Sequence, residues 1–395
     1  MAGAPSRSQT RLVRAVGEGA TGRTASVVPV VAAVVGAHVL FVGMRVAAVG
    51  DLAAFRDGYD GLAYYRLALD PLTLAVDDHG IAFTRPAYWQ ARIGYPLTSW
   101  ALSLGGRAGL VAAVMVLVNL LALAAIALLA ARLARRLGRS AWWGAMPAMW
   151  AGFLVGLGQD LTEPLAGLLL LAALLAMRSG RHALAAIALT AAALTRETTL
   201  VVAAAVLFVA LLPSPADAPR SDAPRWWVGA VPLAVYAGWR AWVRARWSDV
   251  VPDPPSDNPL GVPGVALARY LGSAVSDPVS ELPELALLLP TLLALALGAT
   301  AVRGTVPLHE RLALTGYLIV LASLPVWDRG QAYLRWGCEP LLLGWLVLVG
   351  SDRTLHVRAR RVMVPVVILV WVLTATQSVT YPLADAPWSG WWTWS

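Results

Sequence analysis

The chain has 395 residues, of which 58% are hydrophobic and 14% charged, and its mean hydropathy is +0.64. That apolar share excludes a soluble globular domain, whose surface needs more charge, and marks an integral membrane protein. The formal charge of +8 is what the cytoplasmic arginines of a multi-pass protein generate unaided; no basic face or nucleic-acid motif accompanies it, so nucleic acid is not an expected partner.

All 31 basic residues are arginine. Together with the dominance of Ala, Gly, Leu, Val and Pro, this has the look of GC-rich coding and a bacterial source, and carries no chemistry. The lone Cys338 permits no internal disulfide, so stability has to come from helix packing in lipid.

Residues 1–25 are polar and carry Arg7, Arg11, Arg14 and Arg23, the pattern of a disordered cytoplasmic tail. From Ser26 to Gly50 the chain is apolar for longer than a signal-peptide core, which predicts a retained first span. Further apolar segments follow near 109–131, 142–158, 162–177, 183–194, 198–212, 227–243, 284–302, 312–326, 338–350 and 362–380. Backbone groups in hydrocarbon must bond within their own segment, so the expected fold is an all-α polytopic membrane domain over 26–382 with about eleven helices, ten to twelve. A Trp-rich extracytoplasmic tail at 383–395 closes the chain.

Loop charge orients this arrangement. With the tail inside, the loops at 132–139, 177–182, 219–225, 302–311 and 352–361 fall on the cytoplasmic side, and each is arginine-rich. The opposite face receives 51–95, 158–164, 247–259 and 327–337, which hold most of the acids. A plasma-membrane protein with an extracytoplasmic first loop is therefore expected. Trp142, Trp143, Trp226 and Trp227 stand at span ends, where amphipathic rings form a headgroup belt. No internal repeat or nucleotide-binding glycine motif is present.

The first loop, 51–95, is the most informative stretch, since a mere connection needs no aromatic-acidic pattern. Its segment "YDGLAYYRLALDP" puts Asp60, Tyr64 and Leu67 on one face of a short amphipathic helix along the membrane. Tyr59-Asp60, Tyr64-Tyr65, Leu67-Ala68 and then "RIGYPLTSW" (92–100) resemble the first luminal loop of the GT-C membrane glycosyltransferases. The likeness is to the type that adds the second mannose of GPI anchors and to bacterial relatives using polyprenyl-phosphate sugars. The stretch from "TEPLAGLLLL" to "LTRETTLV" is similar to that family's helix, basic turn, helix and arginine element, ending here in Arg196. The likeness covers roughly 26–212. Tyr59 stands where the family commonly has Trp, and Gly61 follows the acid.

The resemblance implies transfer of a mannose-like hexose from a polyprenyl-phosphate sugar to a lipid or glycan acceptor, with inversion, on the outer face. A first-loop acid would be the general base, because an attacking hydroxyl must lose its proton to a group within hydrogen-bond reach. Asp60 matches the family acid and Asp57 is the second choice. A helix cap or an ion pair with Arg56 or Arg66 explains Asp60 without chemistry, and turn formation explains Asp57.

Phosphate needs cations, and Arg92, Arg196, Arg329 and Arg335 are candidates, Arg196 the sharpest because it interrupts a long apolar run. An ion pair of Arg196 with Glu163 or Glu197 is the structural alternative. Tyr59, Tyr64, Tyr65 and Glu163 are candidates for holding sugar or acceptor. Asp160 with Glu163 in "GQDLTEP" reads as a capping box. Asp57, Asp60, Asp77, Asp78 and His79 are compatible with a divalent Mg or Mn ion, but they form no compact motif, and no cofactor is required. A transporter or flippase for a lipid-linked or anionic substrate is the alternative function, its acids and arginines lining a path.

Overall fold

A computed structural model describes residues 26–57, 60–212, 224–251, 260–303, 306–328, 330–351 and 353–379. The expected tails at 1–25 and 383–395, with Tyr59 and Arg329, lie outside the described residues. In chain order the first helices are α1 (Val28–Val49), α2 (Gly61–Leu69), α3 (Pro86–Gln90), α4 (Gly94–Leu102) and α5 (Ala108–Arg136). Next come α6 (Ala145–Ala148), α7 (Ala151–Gly158), α8 (Glu163–Arg178), α9 (His182–Thr195) and α10 (Leu200–Leu211). The remainder are α11 (Trp226–Trp247), α12 (Val265–Ser276), α13 (Leu282–Ala299), α14 (Leu308–Ser323), α15 (Gly330–Trp336), α16 (Cys338–Val349) and α17 (Thr354–Ser378). The only sheet among the described residues is a hairpin of β1 (Asp77–Asp78) and β2 (Ile81–Ala82), paired Asp77 to Ala82 and Asp78 to Ile81.

This is an all-α architecture of a membrane protein. Among the described residues four helices are long and apolar enough to cross a bilayer: α1, α5, α13 extended to Arg303, and α17. The pair α15 and α16, bent by 47°, makes a fifth if it is one span. At 1.5 Å per residue the 29 residues of α5 reach about 43 Å, beyond the roughly 30 Å hydrocarbon layer. Apolar α9 and α10 are shorter than a crossing helix.

Two segments depart from the sequence expectation. The apolar run 142–158 is divided into a 3-10 turn at Ala141–Gly144, α6 and α7. Pro147 lies in α6 and cannot donate a helical hydrogen bond, and Trp150 is extended before α7. The stretch 265–276, which lies between the expected outer loop at 247–259 and the apolar segment at 284–302, is the amphipathic helix α12, with Tyr270 and Ala274 turned inward.

Helices α8 and α9 form a tight antiparallel hairpin; α5 packs on α8 and α1, α10 on α11 and α14, and α13 on α17 and α16. One end of the bundle is pinned by Arg178 of α8, whose Nε and Nη2 donate to the two Glu310 oxygens of α14 at 2.7 and 2.6 Å. His38, midway along α1, is fully buried, with its ring edge-on to Trp371 of α17. That is the helix-packing role its place in a span suggests.

At the other end the first loop folds back over the helix breaks. Arg66 is fully buried and donates to the carbonyls of Ala75, Val76 and Ile81, with its guanidinium 3.9 Å from the Phe83 ring centre. It thereby ties the hairpin to α2. Two glycines set the docking distance. A side chain at Gly61 would collide with the Gln159 carbonyl, and one at Gly94 with the Thr195 backbone. Gly61 therefore seats the start of α2 on the α7–α8 turn, and Gly94 seats the start of α4 on the end of α9.

Candidate functional site

Asp60 caps the N-terminus of α2, but its carboxylate makes no bond to that helix. It turns instead toward the first loop and α15. The Trp89 indole donates to Oδ1 at 2.9 Å, Arg92 Nη1 lies 3.4 Å from Oδ2, and Arg335 Nη2 is 3.8 Å from the same oxygen. Its side chain keeps 22% exposure. The ion partners that the sequence suggested, Arg56 and Arg66, point elsewhere: Arg66 into the hairpin, Arg56 over the Tyr65 ring at 4.0 Å.

From Asp60 the contacts run inward along two branches. In the first, Arg92 grips Glu197 with a two-pronged contact, Nε to Oε2 at 2.7 Å and Nη2 to Oε1 at 2.5 Å, while Nη1 also donates to the Tyr64 hydroxyl at 3.1 Å. Gly94 makes this possible by bringing 92–94 against 195–197. In the second, Arg335 Nε donates to Glu163 Oε1 at 2.6 Å, and Arg196 Nη1 donates to the same oxygen. Arg196 Nε then lies 2.9 Å from Glu339 Oε1, which also accepts from the Thr198 hydroxyl at 2.6 Å.

Glu163, Glu197 and Glu339 each sit in the first turn of a helix or 3-10 turn, where the positive end of the backbone dipole favours a carboxylate. Exposure grades along the network. Glu163, Glu339 and Arg196 are at 0%, 3% and 5%, whereas Asp60 and Glu197 retain 22% and 30%. Within this set, four carboxylates meet three guanidiniums, and Asp60 has the longest ion contacts.

The outer edge is aromatic. Tyr88 lies under Arg92, 4.3 Å from guanidinium carbon to ring centre, and Tyr236 of α11 is within electrostatic reach of Glu197 and Arg92. Trp239 donates to the Gln90 carbonyl at 3.1 Å and Arg240 to that of Ala87, fastening α11 beside the site. Burial opposes the Arg92 charge, but Glu197 more than offsets it and holds the guanidinium protonated well above its ordinary range. Burial pushes the Tyr64 and Tyr88 phenols above theirs, so both stay neutral.

The structure thus brings Asp60, Arg92, Arg196, Arg335, Glu163 and the Tyr64 hydroxyl into one chain of contacts. It leaves Asp57 outside, half-exposed and 4.0 Å from Arg56. Tyr65 is also outside, and the Tyr64 ring is fully buried, so neither offers a stacking face to the network. The expected capping box is not formed: Thr162 is the N-cap of α8 without a side-chain bond, and Asp160 is fully buried at φ +50° with no hydrogen-bond partner on either oxygen. Among the described residues no three His, Cys, Asp or Glu side chains converge as a metal site; Asp77, Asp78 and His79 occupy the hairpin tip. Sequence reasoning missed Trp89, Tyr88, Tyr236 and Glu339 as members of this region. Only Glu339 carried a signal, four residues after Arg335 in "LRWGCEP".

Protein-family models, curated proteins and solved structures were all compared with the chain. None matches.

Proposed function

We propose that this chain is a membrane glycosyltransferase of GT-C type, its short apolar helices completing a set of about eleven spans, with Asp60 as the general base. The observation that carries the reading is the position of Asp60. It is a partly exposed carboxylate at the accessible end of a buried arginine and carboxylate network, held by one indole and two long ion contacts. A base has to be reachable and only loosely neutralised, and Asp60 is the carboxylate of the set that meets both conditions.

In this reading the acceptor hydroxyl attacks the anomeric carbon of a polyprenyl-phosphate hexose. The bond from that carbon to the phosphate oxygen breaks, the polyprenyl phosphate leaves with the electron pair, and the hydroxyl proton passes to Asp60. Arg92 and Arg335 are the phosphate contacts. An incoming phosphate competes for guanidinium groups that Asp60 holds at 3.4 and 3.8 Å, the weakest contacts of the set, and so loosens the base as the donor arrives. Arg196, closed between Glu163 and Glu339, positions Arg335 rather than touching the donor. With the Tyr64 ring buried, Tyr88, Trp89 and Tyr236 take the sugar-facing role.

The reading is tested by transfer of labelled hexose from a polyprenyl-phosphate pool to membrane lipids, comparing the intact chain with Asp60→Asn at equal abundance. Product from the intact chain alone supports it; equal product from both removes Asp60 from the chemistry. The second reading, a transporter or flippase, draws on the helix breaks at Arg196 and at the 47° bend before Glu339, since broken helices with charged ends line transport sites. Movement of a labelled lipid-linked substrate across proteoliposomes without product favours it instead.

A further inference from the structure

His38 and Arg45 of α1 are both fully buried, and both meet α17. Arg45 Nη1 donates to the Ser378 carbonyl at 2.6 Å, and the His38 ring stands edge-on to Trp371 with 5.8 Å between ring centres. The two contacts are seven residues apart on each helix, so α1 and α17 run parallel and in register there over about 10 Å. Thr374 falls between the contacts, three residues after Trp371 and four before Ser378, on the same face of α17.

This seam is polar where a span is otherwise apolar, and its polar atoms are unmet. Among the described residues, Trp371 Nε1, Thr374 Oγ1, Ser378 Oγ and His38 Nε2 are buried with no hydrogen-bond partner. Hydroxyls elsewhere in these helices return to their own backbone. Thr376, on the exposed face of α17, donates to the Leu373 carbonyl at 2.8 Å, and Thr98, Thr195, Thr315 and Ser323 bond in the same way. Thr374 and Ser378 do not. The His38 tautomer is also fixed: Nδ1 lies 2.8 Å from the Val34 carbonyl, which can only accept, so the proton sits on Nδ1 and Nε2 presents a lone pair.

The Arg45 end of the seam reaches other charges. The turn after α7 packs on α1, Gly158 facing Phe41, and Asp160 and the half-exposed Asp57 are both within electrostatic reach of Arg45. Arg56 bears on the same two acids. Of the other elements packed on α1, α6, α7 and the Ala141–Gly144 turn carry no titratable side chain, and the α5 arginines, Arg132, Arg135 and Arg136, lie in its last turns. On α17, His356, Arg358, Arg360 and Arg361 all lie in the first two turns, far from Trp371.

We propose that the seam between α1 and α17 holds a file of water that enters beside Arg45 and ends at His38, making His38 a proton-binding site inside the membrane. Water donates and accepts, so one file meets an indole N–H, two hydroxyls and an imidazole lone pair. A proton arriving along it passes from hydronium to Nε2, forming the N–H bond and leaving water, and the imidazolium then donates from both nitrogens. Asp160, with no hydrogen-bond partner on either oxygen, supplies a carboxylate at the same end of α1 to offset the added charge. None of these residues belongs to the Asp60 network, so the site stands apart from the glycosyl-transfer reading.

The test uses the full chain in lipid nanodiscs with Cys338, its single cysteine, replaced by Ala. Thr374→Cys and Ser378→Cys should react with a charged methanethiosulfonate at least about tenfold faster than Val372→Cys, at an exposed position of α17, because a thiol ionises in water and not in hydrocarbon. Imidazole nitrogen NMR, assigned with His38→Gln, should show His38 Nε2 gaining a proton between about pH 8 and pH 5. Seam cysteines that react no faster than Val372→Cys overturn the water file, and a His38 signal unchanged over that range overturns the proton site. If Thr374→Cys does not fold, Ser378→Cys alone decides the first measurement.

Discussion

The same chemical pair, arginine with carboxylate, is used in two ways at the two ends of this bundle. Arg178 and Glu310 form a closed two-pronged contact that joins α8 to α14 one to one. Around Asp60, by contrast, arginines and carboxylates are chained, one Glu163 oxygen serves two guanidiniums, and the chain ends on a partly exposed carboxylate with long contacts. A closed pair can only staple. An open chain keeps one member whose partners are easily exchanged, which is what a site needs when a substrate arrives and a proton has to move.

The largest expected effect separates the two ends directly. On the proposed glycosyl transfer, replacing Asp60 by Asn should lower product formation by about 10²–10⁴-fold and leave thermal unfolding nearly unchanged; a large melting shift at constant turnover would reduce Asp60 to a structural role. The mirror variant is Arg178→Met, which strands Glu310 at 0% exposure and should destabilise the fold by about 3–5 kcal/mol. Its turnover per folded molecule should match the parent, and a selective loss of turnover would break the contrast.

Arg92→Lys tests whether the fork matters. A lysine cannot hold Glu197, Tyr64 and Asp60 together, and about 1.5–3 kcal/mol should be lost from transition-state stabilisation, read as kcat/KM. Tyr64→Phe removes one hydroxyl from Arg92 and should cost about 0.5–1.5 kcal/mol, visible as a modest drop in melting temperature. The smallest effect concerns Asp57. Partial burial raises its carboxyl above the ordinary value, so the folded chain binds that proton more tightly than the unfolded chain. Its contribution to stability is greatest below the unfolded pKa and falls as pH climbs through the carboxylate range. Asp57→Asn should flatten that slope in melts at successive pH values and leave transfer unchanged.

Much of this was legible in the sequence. The membrane class follows from apolar composition, and the short helix after Asp60 from the spacing of its apolar and aromatic residues. Arg92, Arg196 and Arg335 were visible as charges in otherwise oily surroundings. Pairing was not legible. Arg56 and Arg66 were the candidates to meet Asp60, but the Tyr65 ring and the hairpin carbonyls hold them and Asp60 meets Arg92 and Arg335 instead, and Glu197, adjacent to Arg196, pairs across 105 positions with Arg92. Asp160, which has the spacing of a cap, is turned away by its left-handed backbone. Trp89 carried no local signal because its indole matters only once the first loop folds back on itself.

The sequence by itself determined the solvent this protein lives in, since transfer of apolar surface and the need to bond every backbone group internally act residue by residue along the chain. It also determined which residues are costly to bury and therefore demand partners. The tertiary structure decided who those partners are. Gly61 and Gly94 let backbone segments distant in sequence approach within contact, and at that range Coulomb attraction, which depends on distance in space and not along the chain, selects the pairs.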